Sequence, residues 1–346
     1  MVPSPVYPGW VQVVVEPLRD FIDEKADPRE MFEELVEIAE GESGSVYAAR
    51  VVASKFPSSS STSSTSASSA TSPGTPTSTP THVAIKQITL LPPSSSSTPQ
   101  QKLLDLAHEL NLLSSLSHKS ILRMESLYID IVEDSLWVRM ELMDRSLADI
   151  IGLSGEGIVL QEKHMAQVAS DVLSALAYLQ ETGIAHRDVR SDNLLVRADG
   201  LVKIADFSNA VKVDVKNPIR TDPTGVIFWQ APEMRTGSYN ALKVDVWSLG
   251  ATVWEMAQGE PPFSNVTDIK QLGDRWEPLD QPETYSRSFH DFLHFCSEPT
   301  ESRPDPHELL NTPFIRGAGG HTYIMQLLTH CRTIEERLSR QHSGEE

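Results

Sequence analysis

The chain has 346 residues, 39% of them hydrophobic, enough to bury one large core or two lobes sharing a cleft without covalent staples. Its 29 basic and 48 acidic side chains leave a formal net charge of -19. That balance disfavours a nucleic-acid backbone or an anionic membrane as main partner and suits basic peptides or metal-bound nucleotides. The two cysteines, Cys296 and Cys331, match no metal-ligand spacing or disulfide framework, which suggests a reducing compartment. No apolar run approaches the ~18 residues of a membrane span, and MVPSPVYPGW lacks the basic and apolar regions of a secretory signal. A soluble cytoplasmic protein is expected, with a nuclear location left open.

In chain order, WVQVVV (10–15) is strand-like and is expected to pack on the first lobe. In IAEGESGSVY, Ala39, Gly41 and Gly44 stand where a G-x-G-x-x-G-x-V loop has its glycines, with Val46 as the last element. Glycines let a backbone bring its amides to phosphate oxygens, and the following valine lies over an adenine ring. Alone, such a loop is indistinguishable from a two-glycine hairpin turn. Every residue from 57 to 80 is Ser, Thr, Ala, Pro or Gly, a composition that cannot offset the entropy of ordering. A disordered insert over about 54–82 is therefore expected. It interrupts two strand-like segments, SVYAARVV (45–52) and HVAIKQITL (82–90), as if a hairpin turn had been expanded. Each doubling of such a loop costs only about 0.6 kcal/mol. VAIK places Lys86 where an ammonium reaches α- and β-phosphates. After a Pro/Ser spacer (92–100), Leu103, Leu106, Ala107, Leu110 and Leu113 recur at helical spacing. Glu109 on that helix is the natural carboxylate to orient Lys86.

Strand character continues over 121–142 and then gives way to helices, an α+β arrangement with a β-rich lobe followed by an α-rich one. Met165, Val168, Ala169, Val172, Leu173, Leu176 and Leu179 form a buried helical stripe over about 164–179, stopped near Gly183. HRDVRSDN (186–193) follows and fits H-R-D-x-x-x-x-N, the most specific element of the chain. Asp188 would accept or orient the proton of an attacking hydroxyl, and Asn193 would offer an amide oxygen to magnesium. Short strands at 194–196 and 201–204, turning at Asp199 and Gly200, would deliver Asp206 as the second metal ligand. VDVWSLGATVWEMA (244–257) is apolar on most faces and predicts a central helix. Ile324, Leu327, Leu328, Cys331, Ile334 and Leu338 predict a last helix, packed on the second lobe or docking a partner.

These signals, with ADFS (205–208), APE (231–233), DVWSLG (245–250) and Arg303, stand in the order of the eukaryotic protein kinases. The chain resembles that family over about residues 32–315. GESGSVYAAR, the SDN of the catalytic loop, KVDVWSLG and GEPPF look most like its PAK-like, sterile-twenty branch. The resemblance implies a bilobal fold, with an extension at 1–31, the kinase domain at 32–315 and a helical tail at 316–346. It implies a Ser/Thr kinase in intracellular signalling, using ATP and Mg2+ on protein substrates. Catalytic roles fall to Asp188, Lys86, Glu109 and Arg190, metal binding to Asn193 and Asp206. Nucleotide binding falls to Ala39, Gly41, Gly44, Val46, Ala84, Lys86, Met140, Glu141, Met143 and Leu195, with Met140 as gatekeeper before a hinge at 141–143. By the same resemblance Glu233 pairs with Arg303, Asp245 holds the HRD backbone, and Leu113, His186 and Phe207 stack in an internal spine. The thirty residues before the domain are too few for GTPase-binding and autoinhibitory modules, so control by a small GTPase in cis is not expected.

Four positions depart from the family. Ala39 replaces a loop glycine, a mild change if the residue stays extended. Ser208 replaces the glycine of D-F-G and restricts flipping of that segment. Arg190 replaces a lysine with the same charge but another geometry, and leaves tyrosine specificity open as a third reading. Val226 replaces a threonine that bonds the catalytic aspartate. Together they raise the alternative of a pseudokinase scaffold with little turnover. Asp222 stands where related kinases carry a phosphothreonine and would pair with Arg187; otherwise it is a solvated acid and Thr221 or Thr224 is the phosphosite. Asp192 and Glu255 match acids that bind an arginine near the target hydroxyl, or are simply solvated.

Overall fold

The computed structural model describes residues 15–41, 44–52, 81–89, 99–266 and 272–343. The chain forms two compact units, Met1–Leu110 with Arg123–Leu142, and Asn111–Leu122 with Met143–Glu346.

The first unit is built on a five-stranded antiparallel sheet in the order β1-β2-β3-β5-β4. Its strands are β1 (Phe32–Gly41), β2 (Gly44–Val51), β3 (His82–Thr89), β4 (Met124–Asp130) and β5 (Ser135–Met140). Short helix α1 (Pro28–Met31) leads into β1, and α2 (Pro99–Ser114) follows β3. Strand side chains alternate between the two faces. Leu127, Ile129, Leu136 and Val138 meet Leu103, Leu106, Ala107 and Leu110 of α2, while Tyr128 and Trp137 join Phe32, Ala49, Val83 and Ile85. Arg29 at the start of α1 grips buried Asp130 of β4 through two hydrogen bonds, 2.9 and 2.7 Å. The expected hairpin is present, with Ser45 opposite Gln87 and Arg50 opposite His82. The low-complexity segment 57–80 between its strands lies outside the described residues, as does WVQVVV except for Val15, which is buried beside Leu18.

The second unit is mostly helical. After β6 (Arg145–Ser146) and α3 (Leu147–Gly152) come α4 (Glu162–Glu181), β7 (Ile184–Ala185), β8 (Leu194–Val196), β9 (Val202–Ile204), β10 (Val211–Lys212) and β11 (Ile219–Arg220). Then follow α5 (Pro232–Arg235), β12 (Tyr239–Asn240), α6 (Ala241–Gln258), α7 (Arg287–Cys296), α8 (Pro306–Leu309), α9 (Pro313–Arg316) and α10 (His321–Ser343). The strands form three small ladders, β6-β8-β9, β10-β7 and β11-β12.

Helix α4 presents its predicted stripe to the core and ends where Gly183 turns left-handed at φ 71°. A Cβ there would lie 2.7 Å from the Val213 carbonyl oxygen, so the chain turns only with glycine. Helix α6 is capped by the Asn240 side chain, which accepts from Leu242 N–H. Its Val246, Leu249 and Val253 share one core with Met165, Val168 and Val172 of α4 and Phe289 and Phe292 of α7. Of the two expectations for the last helix, packing holds: Ile324, Leu327, Leu328, Cys331 and Ile334 are buried in that same core and Leu338 packs at its edge. Burial of each such side chain is worth about 1.5–3 kcal/mol. Polar ties fasten α10 as well, His321 to Asp171 at 2.9 Å and Arg145 to Glu335 at 2.6 Å. Among the described residues no helix is long and apolar enough to cross a membrane.

Candidate active site

The H-R-D segment leaves β7 on the floor laid by α6. Asp245 of α6, buried, accepts the backbone N–H of His186 at 2.8 Å and of Arg187 at 2.7 Å. Burial pushes the Asp245 carboxyl up, against these two donors and the nearby positive charge. The grip holds Arg187 in the left-handed region at φ 65°, a conformation that costs a non-glycine residue about 1–3 kcal/mol. The His186 ring sits edge-on to Phe207, centroids 4.8 Å apart, and its Nε2 lies 3.1 Å from the Ala205 carbonyl oxygen. Leu113 packs against the core that contains Phe207.

Asp188 is 8% exposed and held from several sides. Asn193 Nδ2 donates to its backbone oxygen at 2.8 Å and to Oδ2 at 3.0 Å, and Val226 N–H donates to Oδ1 at 3.3 Å. The Arg190 Nε lies 3.5 Å from Oδ1, while its Nη1 pairs with Asp192. The β8–β9 hairpin turns at Gly200, φ 85°, and brings Ala205 N–H to the Asn193 carbonyl at 2.9 Å. Asp206 follows at once, also left-handed at φ 62°, with Oδ1 accepting from Ser208 N–H. With its amide nitrogen committed to Asp188, Asn193 has its side-chain oxygen left to offer a cation. Among the described residues no three His, Cys, Asp or Glu cluster as a metal cage. The carboxamide and carboxylate oxygens of Asn193 and Asp206 are of the type a hard cation takes, one that keeps waters and brings phosphate oxygens with it.

The segment after Asp206 is tied down by charge. Asp222 pairs with Arg187 at 2.9 Å and with Arg220 at 2.7 Å, and Tyr239 OH donates to its backbone oxygen at 2.8 Å. Arg220 first, and Arg187 after it, hold the Asp222 carboxyl well below the usual carboxylate range. Farther on, Arg303, fully buried, forks onto Glu233 at 2.6 and 3.2 Å. Burial pushes the Glu233 carboxyl up, yet the Arg303 guanidinium outweighs it and the net displacement is downward.

Glu255 departs from the sequence expectation. It is 5% exposed, with Oε1 accepting from Ser191 Oγ at 2.6 Å and Oε2 from Trp229 Nε1 at 3.0 Å. Each oxygen accepts from an internal partner and the side chain is buried, so Glu255 is not the solvated, peptide-facing acid expected from the sequence. It braces the catalytic loop against the end of the activation segment, and burial pushes its carboxyl up to about 7. Of the two acids proposed for substrate arginine, only Asp192 is exposed.

In the first unit Ala39 lies in extended β1 opposite Val46, and Gly41 lies opposite Gly44. Gly44 has φ 131°, and a Cβ there would come within 2.1 Å of the Gln87 carbonyl oxygen. Val46 faces Lys86 across β2–β3, and Ala84 faces Met140 across β3–β5. Lys86 is on β3, and Glu109, buried, is on α2. The boundary between the units falls at Leu142, inside the expected hinge from Glu141 to Met143, and Leu195 is on β8 in the second unit. The sequence did not reveal Asn209 and Thr224 beside Asp188, nor Tyr239 beneath Asp222. No short motif links these residues, which come together only through the turns after Asp206.

Residues 66–315 match the family model described as protein kinase domain, and the chain belongs to that family. Its relatives place it near the sterile-twenty and PAK kinases. It is 35% identical over 225 residues to serine/threonine-protein kinase pakA of Dictyostelium discoideum, covering 63% of this chain and 18% of that protein. It is 32% identical over 295 residues to serine/threonine-protein kinase CST20 of Candida albicans, covering 84% and 21%. With serine/threonine-protein kinase pakC of Dictyostelium discoideum the identity is 31% over 318 residues, covering 90% and 59%. The chain thus spans only part of the length of these relatives.

Proposed function

We propose that the chain is an ATP-dependent protein serine/threonine kinase that transfers the γ-phosphoryl group to protein hydroxyls. The observation that carries this is the ordering of Asp188: Asn193 and Val226 fix its carboxylate, and Asp245 fixes the backbone that bears it. A carboxylate so held accepts or orients the proton of an attacking hydroxyl, a contribution of about 10²–10⁴-fold to rate. Asn193 and Asp206 hold the divalent cation, which we take to be Mg2+; when bound it neutralises charge on the phosphate oxygens. Lys86, oriented by Glu109, binds the α- and β-phosphates, and Arg190 keeps a positive charge beside Asp188. Ala39, Gly41, Gly44 and Val46 cover the nucleotide, with Ala84, Met140, Glu141, Met143 and Leu195 around its base. The intact polar set and the named activity of the relatives favour turnover over a scaffold role.

The kinase domain is taken as residues 32–315 and its location as cytoplasmic. The preferred substrate is a basic segment read by exposed Asp192 and by the net charge of -19. The test is transfer from γ-labelled ATP with Mg2+ to a panel of basic peptides, followed by identification of the labelled residue. Phosphoserine or phosphothreonine is expected. Phosphotyrosine alone would overturn the hydroxyl assignment, and equal labelling of a peptide and its Arg-to-Ala version would overturn the basic preference.

A further inference from the structure

We infer that Asn209 and Thr224 form a positioning relay for Asp188, a role that rests on the kinase reading of that aspartate. Three residues beyond Asp206 the chain has turned back far enough for Asn209 Nδ2 to lie 3.3 Å from Asp188 Oδ2, where it donates. An asparagine amide is ambiguous on its own, since a flip would present its oxygen to the carboxylate and repel it. Thr224 removes the ambiguity. Its hydroxyl donates to Asn209 Oδ1 in a short hydrogen bond, so the amide oxygen is occupied and the NH2 group is left facing Asp188.

Both ends of the relay are anchored by main-chain bonds. The Asn209 carbonyl accepts from Arg187 Nε at 2.9 Å, and the Thr224 carbonyl accepts from Gln230 Nε2 at 2.7 Å. Gly225, at φ 80°, lets the segment pass close to Asp188: a Cβ there would lie 3.1 Å from Oδ1 and 2.4 Å from the Arg187 carbonyl oxygen. The Val226 N–H that follows closes the ring on Oδ1.

The donor count gives the relay its consequence. An ionised carboxylate has about four lone-pair sites. Asn193 and Asn209 take the two on Oδ2 and Val226 takes one on Oδ1. One site remains, on Oδ1, for the proton of the acceptor hydroxyl. Val226 brings no side-chain hydroxyl to the aspartate, and Asn209 supplies the third donor, which a hydrophobic residue at 226 leaves wanting. Without Asn209 the carboxylate keeps its Asn193 and Val226 donors but has two open sites, one on each oxygen, so the acceptor hydroxyl is presented in more than one way.

The test uses the full chain and compares Asn209→Ala, Thr224→Val, Thr224→Ser and the Asn209→Ala/Thr224→Val double variant, with kcat and the ATP KM measured separately. Asn209→Ala is expected to lower kcat by about 10- to 100-fold while the ATP KM stays within about threefold, because one charge-assisted donor to the acting group is lost and nucleotide contacts are not. Thr224→Val is expected to lower kcat by about 3- to 30-fold, and Thr224→Ser to regain most of that loss. In the Asn209→Ala background, Thr224→Val should cost little more, since Thr224 acts through Asn209. A kcat of Asn209→Ala equal to that of the parent, or a full additional loss in the double variant, overturns the relay while leaving the kinase reading intact. A parent chain with no phosphoryl transfer to any hydroxyl overturns both.

Discussion

The buried carboxylate of Glu255 makes stability depend on pH in a direction opposite to that of Asp222 and Glu233, whose carboxyls are held low. Its ordinary value is 4.5, and burial raises it to about 7 in the fold despite donors from Ser191 and Trp229. As pH rises through 4.5 the unfolded chain releases this proton while the folded chain keeps it, so stability falls from there until about pH 7 and is level above it. The full displacement corresponds to about 3 kcal/mol. Replacement Glu255→Gln retains an oxygen for the Trp229 N–H and an amide for Ser191 Oγ, but it cannot ionise. The assay is urea unfolding of both proteins from pH 4.5 to 8, read as a difference in which every other titrating group cancels. Relative to the parent, the glutamine variant should gain about 3 kcal/mol over that range. A difference that stays constant with pH would show that Glu255 does not titrate in the buried brace.

Other consequences are as concrete. Arg303→Ala leaves Glu233 without its fork in a mostly buried setting and should destabilise the second unit by about 3 kcal/mol or more, measured by the shift of the unfolding midpoint. Asp222→Ala should loosen residues 219–226, seen as faster amide exchange there, together with a lower kcat; unchanged exchange and turnover would show that the aspartate does not order the segment. Because Arg220 and Arg187 hold the Asp222 carboxyl low, the parent should keep that protection across neutral pH and lose it only in strong acid, as pH falls through the depressed value. Gly44→Ala places a Cβ against the Gln87 carbonyl at an unfavourable φ, and should cost about 1–3 kcal/mol and weaken ATP binding, checked by thermal unfolding and nucleotide titration.

The elements that the sequence disclosed are those written in local periodicity or in fixed spacing. The α4 stripe, the interrupted β2–β3 hairpin and the 194–204 hairpin each follow from neighbours a few residues apart. The Asp245 grip, the Glu233–Arg303 fork and the Asp222–Arg187 pair are long-range, and they were anticipated only because the family resemblance carried them. Burial decided what neither local pattern nor resemblance disclosed. Glu255, matched by resemblance to an acid that binds a substrate arginine, is enclosed because α6 is apolar on nearly every face and turns that side chain toward Ser191 and Trp229. Asn209 and Thr224 meet because Asp206 and Gly225 turn left-handed on either side of them, a backbone property that the residue types alone do not announce.

The most direct test of the central claim is a paired measurement on the parent, Asp188→Asn and Asp206→Asn: phosphoryl transfer from labelled ATP, and nucleotide affinity with and without Mg2+. The account expects label on serine or threonine in the parent and a loss of about 10²-fold or more in both variants. Asp188→Asn should bind Mg2+–ATP as the parent does, whereas Asp206→Asn should lose the metal-dependent part of that affinity. Transfer that survives Asp188→Asn undiminished, or a parent that binds nucleotide and labels no hydroxyl, would contradict it.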